Sequence, residues 1–80
     1  MAGQANSRDV VPRPDGSWAV TRPGGRRALF TASTQSEAVR RAGELLQRDG
    51  GGELRIHGVD GQVRDQRTIS PGNDPVPPKG

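Results

Sequence analysis

One stretch, residues 34–50, is the only long segment of this sequence with a strong helical period, and the remaining segments need it as a core partner. Its apolar residues fall on one helical face and its charged residues on the other. The apolar stripe is Ala38, Val39, Ala42, Leu45 and Leu46. Thr34 and Glu37 form a capping box at its start, and Gly50 is placed to end it. The pattern predicts one amphipathic helix of roughly 14 residues.

Two further features of this helix follow from residue spacing. Glu37 with Arg41, and Glu44 with Arg48, stand in the favourable order for i,i+4 ion pairs, each contributing about 0.2–0.5 kcal/mol. Gly43 is the weakest position, because a glycine inside a helix costs about 1 kcal/mol relative to alanine.

Short segments of alternating polarity flank the helix on both sides and predict strands. Pro12 suggests that the first strand lies at a sheet edge. Asp60-Gly61 is a two-residue hairpin signal, and Val63 and Ile69 are expected to face inward in the strand that follows. The predicted strands are residues 9–13, 17–22, 26–31, 53–57 and 62–69. We expect an α+β fold of order β-β-β-α-β-β, a small antiparallel sheet with one face covered by a single amphipathic helix.

The predicted core joins the helix stripe to the inward positions of the strands. It comprises Trp18, Val20, Phe30, Val39, Ala42, Leu45, Leu46, Leu54 and Ile56. Alternation places Leu54 and Ile56 inward and Arg55 and His57 outward. We expect a disordered N-terminus over residues 1–8, a single domain over 9–69 and a Pro-rich extended tail over 70–80. A domain of this size buries only about 60% of its unfolded surface, so modest stability is expected.

Composition excludes several classes of function. The chain contains no cysteine, which excludes disulfides, thiolate zinc sites and cysteine nucleophiles. No apolar run approaches the roughly 20 residues of a membrane span, and the N-terminus has no hydrophobic signal core. We therefore expect a cytoplasmic protein with no membrane partner.

No group of residues predicts catalysis. His57 is the single histidine and is expected on a solvent-facing strand position without a nucleophile beside it. Asp60 and Asp65 flank a hairpin, where turn chemistry accounts for Asp60. The glycine runs lack the lysine and the following helix of a phosphate loop. We expect no enzymatic activity, no cofactor, no metal and no small-molecule substrate.

The arginines carry the one functional hypothesis that the residues support. The formal charge is +3, and residues 1–31 hold this whole excess, with five arginines against two aspartates. Arg22, Arg26 and Arg27 surround one turn, and Arg55 can extend them across the open sheet face. Clustered arginine can bind the phosphates of DNA or RNA. A solvated surface, with arginine usage set by genome composition, explains the same pattern and stays open.

A second hypothesis is a protein-interaction or homodimerisation module with no nucleic-acid role. Its basis is the thin core together with an expected unpaired sheet edge at Val10 and Val11. Association of two copies, or with another protein, would add apolar burial that a small domain lacks.

The chain contains an ordered series of short motifs: Val11-Pro12, Gly16, Trp18-Ala19-Val20, Thr34-Gln35, Glu37-Ala38, Glu53-Leu54, Ile56-His57-Gly58, Asp60-Gly61, Asp74-Pro75 and Pro77-Pro78. Taken together, this series resembles the bacterial domain-of-unknown-function family numbered 2188. Ser17 departs from the direct Gly-Trp step of that pattern, and Gly43 replaces a better helix former. The resemblance implies the same hairpin–helix–hairpin order and a tail that belongs with the domain. It implies no catalytic residues, because the family has no assigned activity.

Overall fold

The computed structural model describes residues 7–25 and 27–71. One helix packs on one face of a five-stranded sheet, which confirms the predicted α+β class and element order. The elements are β1 (Ser7–Pro12), β2 (Trp18–Thr21), β3 (Ala28–Ala32), α1 (Gln35–Arg48), β4 (Gly52–His57) and β5 (Val63–Ile69). β1 begins two residues before the predicted domain boundary, and both Ser7 and Arg8 are buried. Within the described ranges, no helix is long and apolar enough to span a membrane.

The strand order is β3-β2-β1-β4-β5, which places β1 at the centre of the sheet. Three pairings are antiparallel, as expected, whereas β1 and β4 are parallel. The parallel pair arises because α1 returns the chain to the end of the sheet at which β1 starts. The prediction of an edge at Pro12, and of an unpaired edge at Val10 and Val11, is therefore wrong. Val10 pairs with both Val20 and Ile56.

A local reason explains how a central strand accepts Pro12. Its neighbour Arg13 donates its backbone N–H to the Ser17 carbonyl, on the β2 side. Successive residues of a strand alternate the direction of their N–H groups, so the Pro12 nitrogen faces the β4 side. The β1–β4 pairing has already ended at Val10, and no ladder hydrogen bond is lost there.

The core lies between α1 and the three central strands. The buried cluster consists of Val10, Val20, Ala32, Ala38, Ala42, Leu46, Leu54 and Ile56. Trp18, Phe30, Val39 and Ile69 pack against it and are partly buried. Leu45, on the flank of the helix stripe, is half-buried. The centre of the core thus includes Val10, which the expectation of an edge strand had left out.

Both ends of α1 have recognisable caps. The Thr34 hydroxyl accepts the Glu37 backbone N–H at 3.1 Å. At the other end, Gly51 donates its backbone N–H to the Leu46 carbonyl at 2.7 Å, and Gly50 donates to the Gln47 carbonyl at 3.3 Å. This is a Schellman motif, which requires the positive φ of 98° that Gly50 adopts.

The β4–β5 hairpin differs from the two-residue turn that was expected. The Gly61 N–H donates to the Gly58 carbonyl, and Gly58 donates to the Gln62 carbonyl, so five residues make the connection. A register shift after Ile56 places Val63 opposite His57. The predicted inward orientation of Val63 is therefore wrong: it pairs on the face away from α1, and its side chain is 49% exposed.

Candidate nucleic-acid interface

Ion pairing divides the described arginines into two groups. Five have a carboxylate partner at 2.8–3.4 Å, namely Arg8, Arg40, Arg55, Arg64 and Arg67. No salt bridge within the described residues involves Arg13, Arg22, Arg27, Arg41 or Arg48, although the charge of Arg13 acts on Asp15. Unneutralised charge, rather than the number of arginines, decides where a phosphate is attracted.

Arg55 belongs to the first group. Its Nε donates to Asp9 Oδ1 at 2.8 Å across the central β1–β4 pair, and the Asp9 side chain is only 14% exposed. A partly buried pair of this geometry holds the guanidinium in place. The register puts Arg55 two strands away from Thr21, the residue before Arg22. Among the predicted phosphate contacts that the structure describes, Arg55 is therefore the one with a carboxylate already bound to it.

His57 lies beside the same carboxylate. Its Nε2 is 3.8 Å from Asp9 Oδ1, and its Nδ1 lies 2.8 Å from the Gly61 carbonyl oxygen. The imidazole is 17% exposed rather than fully solvated, because Asp9 and the hairpin loop enclose it. The described residues include no group of three His, Cys, Asp or Glu side chains that could hold a metal ion.

The sheet face opposite α1 is polar but not basic at its centre. Besides Asp9 and Arg55 it carries Glu53, whose carboxylate accepts from the Thr68 hydroxyl at 3.0 Å and the Gln66 amide at 3.3 Å. Two carboxylates thus accompany one arginine there. A phosphate chain laid across this face would meet as much repulsion as attraction.

The β2–β3 hairpin presents two of the predicted arginines to solvent. Gly25 donates its backbone N–H to the Arg22 carbonyl at 2.8 Å, and Gly24 has a φ of +70°. Proline followed by a glycine of positive φ is the sequence of a type II turn, which holds Arg22 at its first position. Arg22 and Arg27 are both exposed. Arg26, the third predicted contact in this hairpin, lies outside the described residues.

Two helix arginines extend this group, and the sequence reasoning missed them. Arg41 lies over the Phe30 ring, with its Cζ 4.6 Å from the ring centroid. Arg48 is seven residues further on the same side of α1, about 10 Å along the axis. Both border a depression of about 240 Å³ together with Phe30, Leu45 and Glu44, whose carboxylate is hydrogen-bonded to Arg40. The spacing of two turns was a signal that they share a face.

The expected pairs of Glu37 with Arg41 and of Glu44 with Arg48 do not form. Glu44 instead accepts a hydrogen bond from Arg40 at 3.3 Å, and the contact with Phe30 holds Arg41. Exposed i,i+4 pairs contribute only a few tenths of a kcal/mol, so a cation–π contact of about 0.5–1 kcal/mol competes with them. As a result, no carboxylate of the described residues forms a salt bridge with Arg41 or Arg48 to neutralise its charge.

We call Arg22, Arg27, Arg41 and Arg48 the arginine end. The chain direction places Arg48 near the β2–β3 hairpin, because α1 runs antiparallel to β3 and ends near the start of that strand. Arg41 lies two turns further from that end, over Phe30 in the middle of β3. A bond from β1 to the helix end fixes this arrangement: the Arg8 Nη2 donates to Asp49 Oδ2 at 3.2 Å. Asp9, the residue after Arg8, pairs with Thr21, the residue before Arg22. The C-terminal end of α1 and the β2–β3 hairpin therefore lie at the same end of the sheet.

Comparison with known proteins gives one match. The model of a family described as uncharacterized protein conserved in bacteria, DUF2188, matches residues 8–69, which is most of the chain. Curated proteins yield no match, and solved structures yield none either.

Proposed function

This chain belongs to the DUF2188 family, and we propose that it binds nucleic acid through phosphate contacts at the arginine end. One observation carries the proposal: four exposed arginines that form no salt bridge within the described ranges lie on the β3 side of the fold, two in the β2–β3 hairpin and two on the flank of α1 beside Phe30. The distribution of charge along the sequence points the same way, because the excess of positive charge lies before the helix.

The chemistry of binding is phosphate recognition. An arginine guanidinium presents a planar set of donors that matches phosphate oxygens and stays charged at every physiological pH. Each contact releases counterions from the nucleic acid, so the observed affinity falls with salt by a logarithmic slope of about 0.9 per contact on duplex DNA. Four contacts give a slope of about −3.6.

The same geometry favours binding with little dependence on base sequence. The four arginines come from a turn and from one helix flank, which suits contacts to the phosphate backbone. Phosphate contacts position a protein on nucleic acid without carrying sequence information. The affinity is therefore expected in the micromolar range or weaker at physiological salt.

A comparison of two double variants tests the proposal by fluorescence anisotropy with labelled duplex DNA and labelled RNA. Arg41→Gln with Arg48→Gln removes two charges of the arginine end, and the salt slope should fall by about 1.8. Arg64→Gln with Arg67→Gln removes the same total charge from arginines that are paired with Asp60 and Asp65.

The control variant, Arg64→Gln with Arg67→Gln, should retain most of the salt slope of the native chain. Equal losses in the two variants would show that net charge alone sets the affinity, and would contradict a site at the arginine end. Circular dichroism of each variant checks that α1 is preserved.

Self-association is the second candidate function, and exposed edge residues favour it. β3 and β5 are the sheet edges, and Leu29 on β3 is 40% exposed. β5 carries Arg64, Asp65 and Arg67, and such charges discourage pairing of edges. We therefore place a dimer contact at β3, and sedimentation velocity of the native chain against Leu29→Asp tests it. A monomer at every concentration would reject this candidate.

A further inference from the structure

The depression beside Phe30 contains more than the two arginines that the proposed phosphate contacts use. Phe30 and Leu45 line it with partly buried apolar surface, and Arg41, Glu44 and Arg48 line it with exposed side chains. Its volume of about 240 Å³ equals that of roughly eight water molecules, at about 30 Å³ each. The depression therefore has room for a group as large as a planar heteroaromatic ring.

The position of Phe30 in the sheet explains why its ring is only partly buried. β3 is an edge strand, so no further strand lies beside Phe30 on its outer side. Phe30 pairs with Val20, a fully buried residue of the core, which places its side chain on the face that α1 covers. One side of the ring therefore packs against the core, and another borders the depression.

The Arg41 guanidinium adds a second planar group above this ring. Its Cζ lies over the ring of Phe30, 4.6 Å from the centroid, where the negative face of the ring attracts it. Arginine planes stack on aromatic rings and on nucleobases alike. No described carboxylate forms a salt bridge with Arg41, so its guanidinium is not already bound to an acidic group.

The charges around the depression favour a neutral ring in it over a phosphate. The Glu44 carboxylate, hydrogen-bonded to Arg40 at 3.3 Å, borders the depression and repels an anion placed there. The apolar surface of Phe30 and Leu45 offers no donor to a phosphate oxygen, whereas burial of a ring against it is favourable. Arg48 lies about 10 Å along the helix axis from Arg41, where it can contact a phosphate next to a bound ring.

A nucleobase with a free face is available in a single strand but not inside a duplex. Each base of a duplex stacks on its neighbours, and taking it out of the stack costs free energy. Proteins that bind single strands combine basic side chains along the backbone with aromatic or arginine surfaces on which the bases stack. The arginine end and the depression beside Phe30 together provide both parts.

We propose that this depression binds one base of a single-stranded nucleic acid, which stacks on Arg41 and Phe30 while Arg48 contacts an adjacent phosphate. The inference rests on the proposed function, because it names the form of nucleic acid that the arginine end prefers. Every base has a face that can stack, so the depression selects single strands over duplexes rather than one base over another. The ligand class is single-stranded DNA or RNA.

Fluorescence anisotropy with two short strands of equal length tests the inference. One strand carries ordinary bases, and the other is abasic throughout, so both present the same phosphates to the arginine end. The native chain should bind the ordinary strand at least about fivefold more tightly, which is the effect of stacking one base. DNA and RNA strands, each compared with its own abasic strand, should both show this preference. Equal affinities for the ordinary and abasic strands would overturn the inference.

Variants that preserve charge or apolar character assign the preference to the depression. Arg41→Lys keeps the positive charge but loses the planar guanidinium, so the preference for the ordinary strand should fall by at least half. Phe30→Leu removes the ring beneath Arg41 and should bring the two affinities close to each other. Arg67→Lys is the matched control, because Arg67 lies on β5 and pairs with Asp65, and it should retain the preference.

A preference that persists in both Arg41→Lys and Phe30→Leu would overturn the inference, as would an equal loss in Arg67→Lys. Circular dichroism and thermal unfolding of each variant check that the fold is preserved. Because Arg41 is exposed, Arg41→Lys remains a test even if Phe30→Leu unfolds.

The salt dependence separates this inference from the proposed function. On a single strand each phosphate contact contributes about 0.7 to the logarithmic slope, so four contacts give about −2.8 for the ordinary and abasic strands alike. That slope with equal affinities would overturn stacking in the depression and leave phosphate binding intact. A slope near zero for the abasic strand would contradict the proposed function itself, together with the inference that rests on it.

Discussion

Asp15 shows how a single side chain can fix a turn. The Ser17 hydroxyl and the Ser17 backbone N–H both donate to Asp15 Oδ1, at 2.6 and 2.9 Å. These hydrogen bonds, the hydroxyl first, hold the pKa of the Asp15 carboxyl below its ordinary value. Ser17 is also the residue that departs from the family pattern, and it stabilises the ionised form of Asp15 in the turn before Trp18.

Ser17→Ala is expected to raise the pKa of Asp15 toward the ordinary carboxyl value, because it removes the largest cause of the shift and leaves the Ser17 backbone hydrogen bond and the Arg13 charge. Carboxyl ¹³C NMR across a pH titration measures this change. A lowered folded-state pKa stabilises the protein above the unfolded pKa, and this contribution is lost as pH falls through the folded pKa. The variant should therefore be less stable near neutral pH and converge with the native chain in acid. An unchanged pKa would contradict the hydroxyl contribution.

The ion pair of Arg8 with Asp49 differs from the surface pairs in its burial. The Arg8 side chain is 7% exposed, and its Nη1 also donates to the Ser7 carbonyl at 2.7 Å. Asp49→Ala leaves this charge without its carboxylate, and we expect a loss of about 1–3 kcal/mol in the free energy of unfolding. Urea denaturation measures this change in the free energy of unfolding.

Glu44→Gln, which breaks the exposed pair with Arg40, is the control and should lower the free energy of unfolding by less than about 0.5 kcal/mol. Equal costs would show that Asp49 does not compensate a buried charge.

At the scale of elements, α1 was predictable because its signals are local. The capping box, the apolar stripe and Gly50 all lie within 17 consecutive residues, and each agrees with the others. The central position of β1 was not predictable in the same way. It depends on pairing of Asp9 with Arg55, 46 residues apart, which a local pattern does not encode.

Gly43→Ala is expected to stabilise the fold by up to about 1 kcal/mol, because alanine has the higher helix propensity and its Cβ has room. The midpoint of thermal unfolding should rise by about 4–8 °C per kcal/mol in a domain of this size.

Gly61→Ala is the matched control. Gly61 adopts a φ of +88°, and a Cβ built there meets no other atom within 4 Å. It should destabilise by about 1 kcal/mol, because alanine is strained there. A lower midpoint for Gly43→Ala would show that this glycine is needed for packing.

Local sequence patterns identified only some of the arginines of the candidate site. Arg22 and Arg27 were found from the sequence, because both belong to one turn. Arg41 and Arg48 were assigned to helix ion pairs, and the contact of Arg41 with Phe30 depends on how α1 packs against β3. Arg55 was grouped with the hairpin arginines because its partner Asp9 is remote in sequence. Distances along the chain therefore identified the arginines, but not which of them keep an uncompensated charge.

For the molecule as a whole, binding of phosphates by the arginine end requires that the affinity for nucleic acid fall as salt rises. The affinity of the native chain for duplex DNA is measured by anisotropy across a series of salt concentrations. Four arginine contacts predict a slope of about −3.6 in the logarithm of the association constant against that of salt concentration. A slope near zero, or no binding at low salt, would contradict binding of phosphates by the arginine end.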